Sequence, residues 1–454
     1  MKRIGERVRY HARWVVPVAA PPLKDGTVIV EGDRIAWVGA RAHAPAADRD
    51  EDLADCVLTP GLVNAHTHLD LTVMRGFLDD VAFFDWVRTL TRARAAVIAP
   101  RDALDSALLG VAEGLRAGIT TYGDTADSEA PFDALLALGA RGVAYREVFG
   151  PDPAMAQRSL DGLKVRVADM RAKETALVRV GVSPHAPYSV SDALFQAVAA
   201  FAEEERYPVA VHIAESAEED ALVQSGEGPF AEFLRSRSID VARRAPTSVA
   251  LMRAVGLARP GTLLIHCVNA TDEDIRAVAH AGCGVAHCPA SNAKLGHGIA
   301  PLAAFMAAGA RVGLGSDSMA SNNQMELLAE ARLALLQQRA LLRAPHALSA
   351  RAAFRLATLG GAEALRLDAE IGSIEPGKQA DLVAFAPGAL MAPGDDPVGT
   401  LIFTPRAMRV HRVLVAGVER VRDGAVRGFD AAIPARVAAT AARLSQWRHA
   451  CAAR

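Results

Sequence analysis

Residues 61–68 read GLVNAHTH, an apolar run that ends in two histidines one residue apart. Further segments repeat this pattern of a short β-rich run with polar residues at its end, and amphipathic helical stretches such as 101–117 and 325–342 lie between them. Strands that alternate with helices in this way predict an α/β fold, a closed (β/α)8 TIM barrel, over residues 59–369. A doubly wound open sheet is disfavoured because no glycine-rich phosphate loop follows the first strand. The other seven predicted strands are 118–125, 141–149, 178–187, 208–216, 262–268, 284–291 and 311–318.

The two ends of the chain contain short β-rich runs separated by turns, unlike the central region with its long helical stretches. The segment TVIVEGDRIAWVGA at 27–40 predicts a hairpin that turns at Gly32 and Asp33. Near the other end, 372–386 and 409–426 show the same short strands separated by turns. We therefore predict a small discontinuous β-sandwich domain made of residues 1–58 plus 370–454.

Composition narrows the class of partner. The chain has 454 residues, 51% of them hydrophobic, and a formal net charge of -2. That balance gives no reason to expect nucleic acid or an anionic membrane, and it favours a small-molecule substrate. No apolar run approaches the roughly 18 to 20 residues that span a bilayer. Five cysteines without a signal peptide are typical of reduced thiols and a cytoplasmic protein. Apolar helices that face outward would be compatible with a homodimer.

Polar side chains stand at the carboxyl ends of five predicted strands, where the loops of a barrel converge on the active site. The two histidines of the HxH pair project from the same face of an extended strand. Three imidazoles and a carboxylate suit one divalent ion such as Zn²⁺, and Fe²⁺ fits the same ligands. Such an ion lowers the pKa of its water from 15.7 to about 7. The predicted metal ligands are His66, His68, His212 and Asp317.

Hydrolysis at a C–NH2 group also needs a residue that moves a proton from water to the leaving nitrogen. Glu215, three residues after His212, is the candidate. His266 is predicted to orient or polarise the water, and Asp317 to act both as ligand and as proton acceptor. These three residues form the predicted catalytic set.

Candidates for substrate contact rest on weaker patterns. His185 follows a predicted strand, although a structural histidine would look the same, and Ser321 lies in the loop just after the last strand. Trp86 could stack on a heterocycle or pack under its loop. Arg75, Arg146 and Glu147 could anchor a carboxylate or hydroxyl, or form ordinary ion pairs. Cys267 and Cys288 are adjacent to histidines, but neighbouring residues of a strand face opposite ways, which disfavours a structural zinc site.

Several motifs together resemble the amidohydrolase superfamily, in the branch of cytosine deaminases and chlorohydrolases that includes adenosylhomocysteine deaminases. They are TPGLVNAHTHLDLTVMRG, HAPYSVS, HIAES, IHC, HCPASNAKLGHGIAPL and GSDSMASNN. The resemblance covers almost the whole chain. It implies the four metal ligands named above, proton-shuttling and water-activating roles for Glu215 and His266, and a substrate-contacting role for His185. Two-metal members carry a carboxylated lysine, and none stands at the end of 141–149, so one ion is implied.

Within that branch, the segments 79–94, 145–153, 212–234 and 287–296 look most like aminodeoxyfutalosine deaminases, which act on an adenine ring with a modified ribose. This resemblance predicts a metal-dependent hydrolytic deaminase of an aminopurine nucleoside, with aminodeoxyfutalosine of the menaquinone route as the expected substrate. The alternatives are an adenosylhomocysteine or methylthioadenosine deaminase, a triazine chlorohydrolase, and a guanine or cytosine deaminase. In adenosylhomocysteine deaminases a glutamate grips the ribose hydroxyls at the position that is Ala95 here. A non-catalytic scaffold is disfavoured because the whole candidate ligand set is present.

Overall fold

The computed structural model describes residues 5–388 and 394–452 and contains two nine-stranded sheets. One sheet is built from both ends of the chain, and the other forms the central barrel. The N-terminal strands are β1 (Arg7–Val15), β2 (Leu23–Glu31), β3 (Arg34–Ala40), β4 (Arg49–Asp52) and β5 (Val57–Pro60). Strands β2 and β3 pair antiparallel, which confirms the predicted hairpin.

The barrel sheet is parallel throughout. The last strand of this sheet begins at Asp317, and two residues separate it from the preceding strand. It pairs with the first strand, with Asp317 opposite Thr67, and so closes the sheet. All eight predicted strands are present, and the predicted barrel is confirmed. The segments are β6 (Leu62–His68), β7 (Ile119–Ala126), β8 (Arg141–Val148), β9 (Val178–Pro184), β10 (Val209–Ile213), β11 (Thr262–His266), β12 (Gly284–His287), β13 (Arg311–Leu314) and β14 (Asp317–Ser318).

Helices surround the barrel, as the repeating pattern predicts. The helix α2 starts at Pro100, where a missing N–H costs nothing, and buries Ala107, Val111 and Leu115 on its inner face. The helices are α1 (Phe83–Val97), α2 (Pro100–Arg116), α3 (Ala130–Leu138), α4 (Ala156–Arg171), α5 (Asp192–Glu204), α6 (Ala217–Ser225), α7 (Gly228–Arg235), α8 (Ser248–Ala254), α9 (Asp272–Ala281), α10 (Pro289–Lys294), α11 (Leu302–Ala307), α12 (Met319–Asn322), α13 (Leu327–Leu342), α14 (Ala350–Arg355), α15 (Gly361–Ala364), α16 (Pro397–Phe403) and α17 (Ile433–Ala452).

The second sheet joins the two ends of the chain. Its C-terminal strands are β15 (Leu382–Pro387), β16 (Met408–Val415), β17 (Val418–Arg422) and β18 (Ala425–Val426). The order is β18-β17-β16-β15-β5-β1-β2-β3, with β4 paired to β1. Because β5 pairs antiparallel with β15, neither end could form this sheet alone. The predicted discontinuous β domain is confirmed.

The last helix, α17, lies within residues 370–454, which the sequence analysis assigned to a β domain. It packs against α1 and α2 of the barrel. Arg436 makes two hydrogen bonds to the carboxylate of Asp105, and the hydroxyl of Thr440 donates to Asp102. Residues beyond 370, which the sequence analysis assigned to the β domain, therefore also contact the barrel helices.

A buried ion pair joins the β sheet to the barrel. Nε of Arg141, at the start of β8, lies 2.7 Å from Oδ2 of Asp381, and Nη2 lies 3.1 Å from Oδ1. Both residues are buried, at 2% and 4% exposure. The backbone N–H of Ala416 also donates to Asp381. In the described residues, no helix is both long enough and apolar enough to cross a membrane.

Candidate metal and catalytic site

The candidate site lies at the carboxyl ends of the barrel strands. His66 and His68 end β6, His212 lies in β10, His266 ends β11 and Asp317 begins β14. His185 comes directly after β9, and Glu215 lies two residues beyond β10. Closure of the barrel pairs Asp317 with Thr67. It thereby brings together residues that are far apart in the sequence.

The four predicted metal ligands converge. Nε2 of His66 lies 3.3 Å from Oδ1 of Asp317, and Nε2 of His68 lies 3.6 Å from the same oxygen. Nε2 of His68 also lies 3.3 Å from Nε2 of His212. Contacts of 3.3 to 3.6 Å thus link the four donors in a chain from His66 through Asp317 and His68 to His212, around a space in which one metal ion could be held. His266 lies beside this cage, because its donor atom is within 4.8 Å of those of His66 and His212.

Neighbouring groups fix how these donors point. Nδ1 of His212 donates to the backbone carbonyl of His185 at 3.1 Å, which leaves Nε2 with its lone pair facing His68. Oδ2 of Asp317 accepts hydrogen bonds from Ser291 at 2.5 Å and from Ser321 at 3.0 Å. These bonds leave Oδ1 of Asp317 directed at the histidines. Such outer contacts orient metal ligands and tune their basicity.

Burial sets the charge of the donors. It lowers the pKa of His66 to about 4 and the pKa of His212 well below its ordinary value, so both imidazoles are neutral near pH 7. Burial alone would raise the pKa of Asp317, but the adjacent imidazole of His66 holds that pKa well below its usual range. Neutral imidazoles with free lone pairs and one carboxylate are the protonation states that metal binding requires.

The environment of His66 independently indicates that the donor set could hold a divalent ion. His66 is fully buried, and neither ring nitrogen makes a hydrogen bond of good geometry within the described residues, even though Nε2 lies 3.3 Å from Oδ1 of Asp317. A buried imidazole without a partner is costly unless another ligand satisfies it. The buried, unsatisfied nitrogens beside a carboxylate and two further histidines support a metal at this point.

Glu215 lies next to the cage and between two histidines. Its Oε1 is 3.5 Å from Nε2 of His266 and 3.6 Å from Nε2 of His297, and the residue is 4% exposed. Burial would raise the pKa of Glu215, but His266 and His297 outweigh it and lower that pKa. Nδ1 of His266 donates to Oδ1 of Asn292 at 2.8 Å, which directs Nε2 at Glu215. The arrangement can exchange a proton between a carboxylate and a neighbouring group.

The backbone is unusual at the same strand ends. His266 and Asp317 have positive φ angles of 74° and 55°, and so does Ala214 at 50°. Left-handed conformations cost non-glycine residues free energy and are found where the surrounding structure enforces them, commonly at functional sites. Here they occur at or next to three of the strand ends that carry the candidate site residues.

A cavity of about 610 Å³ opens beside the candidate metal cage. Its outer wall is aromatic: the rings of Tyr188 and Phe230 are stacked with centroids 4.3 Å apart, and Trp86 and Phe233 line the same space. Its inner wall is polar. The polar residues of this wall include His68, Asp70, Arg94, Asp127, Glu147, His185, Ser189, His212, Glu215, His266 and Asp317. A flat heterocycle with a polar substituent matches a cavity with these two walls.

Not every sequence-predicted residue reaches this cavity. His185 and Trp86 line it, and so does Ala95. Arg146 does not line it, because residues alternate along β8 and the neighbouring Glu147 takes the inward position. Ser321 does not line it either; its hydroxyl is directed at Asp317 instead. A larger cavity of about 1170 Å³ lies elsewhere, and the candidate Arg75 lines it, paired with Glu113.

Three residues near the site escaped the sequence analysis as individual candidates. Ser291, Asn292 and His297 contact Asp317, His266 and Glu215 respectively. All three lie in the segment 287–302, which contributed to the resemblance as a motif. Their roles depend on the turn from β12 into α10 and beyond, which spacing alone does not reveal.

A closed (β/α)8 barrel with a cage of imidazoles and a carboxylate at its carboxyl-terminal mouth defines a metal-dependent hydrolase. Comparison with known proteins agrees. The model of the Amidohydrolase family matches residues 57–420. The chain belongs to the amidohydrolase family and is a hydrolase that acts on carbon–nitrogen bonds.

Individual relatives share nearly the full length. A protein of Moorella thermoacetica named 5-methylthioadenosine/S-adenosylhomocysteine deaminase is 32% identical over 423 residues, which cover 92% of this chain and 94% of that protein. The crystal structure of an adenosine deaminase from Xanthomonas campestris with bound zinc superimposes with a TM-score of 0.85 at 30% identity, covering 97% of this chain and 98% of that chain. An aminofutalosine deaminase of Helicobacter pylori shares the fold, with a TM-score of 0.79 at 22% identity and coverage of 92% and 100%.

Proposed function

We propose that the protein is a zinc-dependent deaminase of adenine nucleosides with a substituent on the 5′ carbon, of the methylthioadenosine and adenosylhomocysteine type. The observation that carries the proposal is Glu215, buried beside the metal cage and within 3.6 Å of two imidazoles, at the end of a cavity with an aromatic wall. Water and an adenine nucleoside would give the hypoxanthine nucleoside and ammonia.

The choice of substrate class draws on the relatives. The sequence motifs favour aminodeoxyfutalosine, but the curated relatives at 32% identity carry the methylthioadenosine and adenosylhomocysteine name. The likeness to the aminofutalosine deaminase is at 22% identity and supports the fold alone. We therefore take methylthioadenosine and adenosylhomocysteine as the leading substrates and keep aminodeoxyfutalosine as a test compound.

One divalent ion would be held by His66, His68, His212 and Asp317. When bound, it supplies a Lewis acid that makes water a nucleophile at neutral pH. Zinc is favoured because the adenosine deaminase from Xanthomonas campestris has bound zinc and the donor set is rich in imidazole.

The residues of the chain then handle the protons. Glu215 accepts one proton from the attacking water and delivers it to the ring nitrogen next to the reacting carbon, while the oxygen bonds to that carbon. The second proton of the same water passes to the amino group, whose bond to carbon breaks so that ammonia leaves. His266, held by Asn292 through Nδ1, directs Nε2 toward Glu215 and the water. His185 faces the substrate from the neighbouring wall. Tyr188 and Phe230 would pack against the apolar part of the substrate and exclude water.

The test is ammonia release by zinc-loaded protein with a panel of compounds: methylthioadenosine, adenosylhomocysteine, adenosine, aminodeoxyfutalosine, guanine, cytosine and a chlorotriazine. We expect the adenine nucleosides with 5′ thioethers to have the highest kcat/KM. The surface variant Glu203→Gln, whose side chain is 78% exposed, is the control for handling and metal loading. Exclusive turnover of a chlorotriazine or a free base, or no turnover of any compound by fully loaded protein, would refute the proposal.

A further inference from the structure

Glu147 is a buried carboxyl group that the proposed reaction does not use. It lies near the end of β8, is 5% exposed and lines the cavity. Its Oε1 is buried and has no hydrogen-bond partner within the described residues. An unpaired buried carboxyl oxygen is costly, so its retention at a cavity wall indicates a ligand.

The nearby cation does not pair with Glu147. The guanidinium of Arg94 is held by Asp70, whose Oδ2 lies 2.6 Å from Nη2, and by Asp127. Ser128 donates to the same oxygen of Asp70 at 2.9 Å. This network is complete without Glu147, which leaves the Glu147 carboxyl facing the cavity.

His185 presents a second acceptor toward the same point. Its Nδ1 lies 2.7 Å from Oγ of Ser189, and that hydroxyl donates to the backbone carbonyl of Ala186. The Ser189 oxygen therefore accepts from Nδ1–H of His185, and Nε2 of His185 keeps its lone pair. Nε2 lies 4.0 Å from Oε1 of Glu147. The Glu147 carboxyl and Nε2 of His185 therefore face each other across 4.0 Å without a hydrogen bond between them.

A second metal ion fits this pair poorly. The donor atoms of Glu147, His185 and His212 lie within 4.8 Å of one another. However, Nδ1 of His212 is committed to the carbonyl of His185, and its Nε2 faces His68. Only two donors are left for an ion, which is fewer than a zinc site requires.

We propose that Glu147 and His185 together bind the two vicinal hydroxyls of the ribose, and that Glu147 is a specificity-determining residue for ribosides. This inference rests on the proposed function. A vicinal diol supplies two adjacent hydroxyls, each of which can donate or accept a hydrogen bond, for these two facing groups. The His185 ring is 4.8 Å from the ring of His212, so the diol would lie one side chain away from the cage that receives the purine amino group.

The experiment compares adenosine with 2′-deoxyadenosine and 3′-deoxyadenosine in the zinc-loaded wild type, Glu147→Met and Glu147→Gln. Methionine keeps the length of the side chain without an acceptor, and glutamine keeps one carbonyl oxygen. Wild type should favour adenosine over each deoxy analogue by about 10- to 100-fold in kcat/KM, the range expected for one hydrogen bond to a polar or charged partner. Glu147→Met should lose most of this preference, and Glu147→Gln should lie between them.

Two further readings separate the outcomes. Zinc content and the binding of inosine against 2′-deoxyinosine, measured by calorimetry, should show full metal loading in all variants and the same loss of preference in Glu147→Met. Retained preference for ribosides in Glu147→Met, or a loss of zinc together with unchanged preference, would overturn the inference while leaving the deaminase standing. A wild type that releases ammonia from no adenine nucleoside would instead refute the proposed function, and this inference with it.

Discussion

Replacement of Asp381 by asparagine tests the seam between the β sheet and the barrel. The change keeps the size of the side chain but removes its charge, and it leaves the guanidinium of Arg141 buried without its carboxylate. Removing one partner of a buried ion pair typically costs about 3–5 kcal/mol. Oε2 of Glu370 lies 4.0 Å from Nη1 of Arg141 and gives partial compensation, so we expect about 3 kcal/mol, near the low end.

The assay is urea unfolding of metal-loaded protein followed by circular dichroism. Glu205→Gln is the matched control, because it removes an exposed ion pair: the side chain of Arg171 is 43% exposed and that of Glu205 is 49% exposed. It should change the free energy of unfolding by less than about 1 kcal/mol. The double variant Arg141→Met with Asp381→Leu should recover much of the loss, because no buried charge is left unpaired. A cost for Asp381→Asn equal to that of the control would refute the reasoning.

Two other predictions follow from the site and the thiols. Ser291→Ala removes the 2.5 Å hydrogen bond to Oδ2 of Asp317 and should weaken zinc affinity about 10- to 100-fold, measured by competition with a chelator; unchanged affinity would show that Ser321 alone positions the carboxylate. Native protein should react with a thiol reagent at pH 8 mainly at the exposed Cys451, whereas denatured protein should react at all five cysteines. Burial raises the pKa of Cys56 and Cys283 to about 11, so these thiols remain protonated at pH 8 and reaction should increase only as the pH approaches that value; rapid modification of more than one thiol at pH 8 would contradict the burial.

The barrel was predictable because its signal is local and repeated. Each strand, such as the one that ends in His66 and His68, carries its own apolar run and its own polar end. The chain direction then requires those ends to meet on one face. The convergence of His66, His68, His212 and Asp317 was therefore accessible from sequence before any distance was known.

Other features depend on contacts that no local pattern encodes. Helix α17 is placed by ion pairs such as Arg436 with Asp105, whose partners are far apart in the sequence. Which of Arg146 and Glu147 faces the cavity depends on the register of β8 in the closed barrel. His297 reaches Glu215 only because the chain after β12 folds back over the barrel mouth. Such tertiary placement decides which side chains line the cavity, and no local pattern of the sequence encodes it.

The most direct test of the central claim is the zinc-loaded variant Glu215→Gln, compared with wild type for ammonia release from methylthioadenosine and for zinc content. The account predicts one zinc ion per chain in both proteins and a kcat lower by about 10²- to 10⁴-fold in the variant, because glutamine occupies the same space between His266 and His297 but cannot carry the proton. Wild-type turnover in Glu215→Gln with zinc bound would contradict the account.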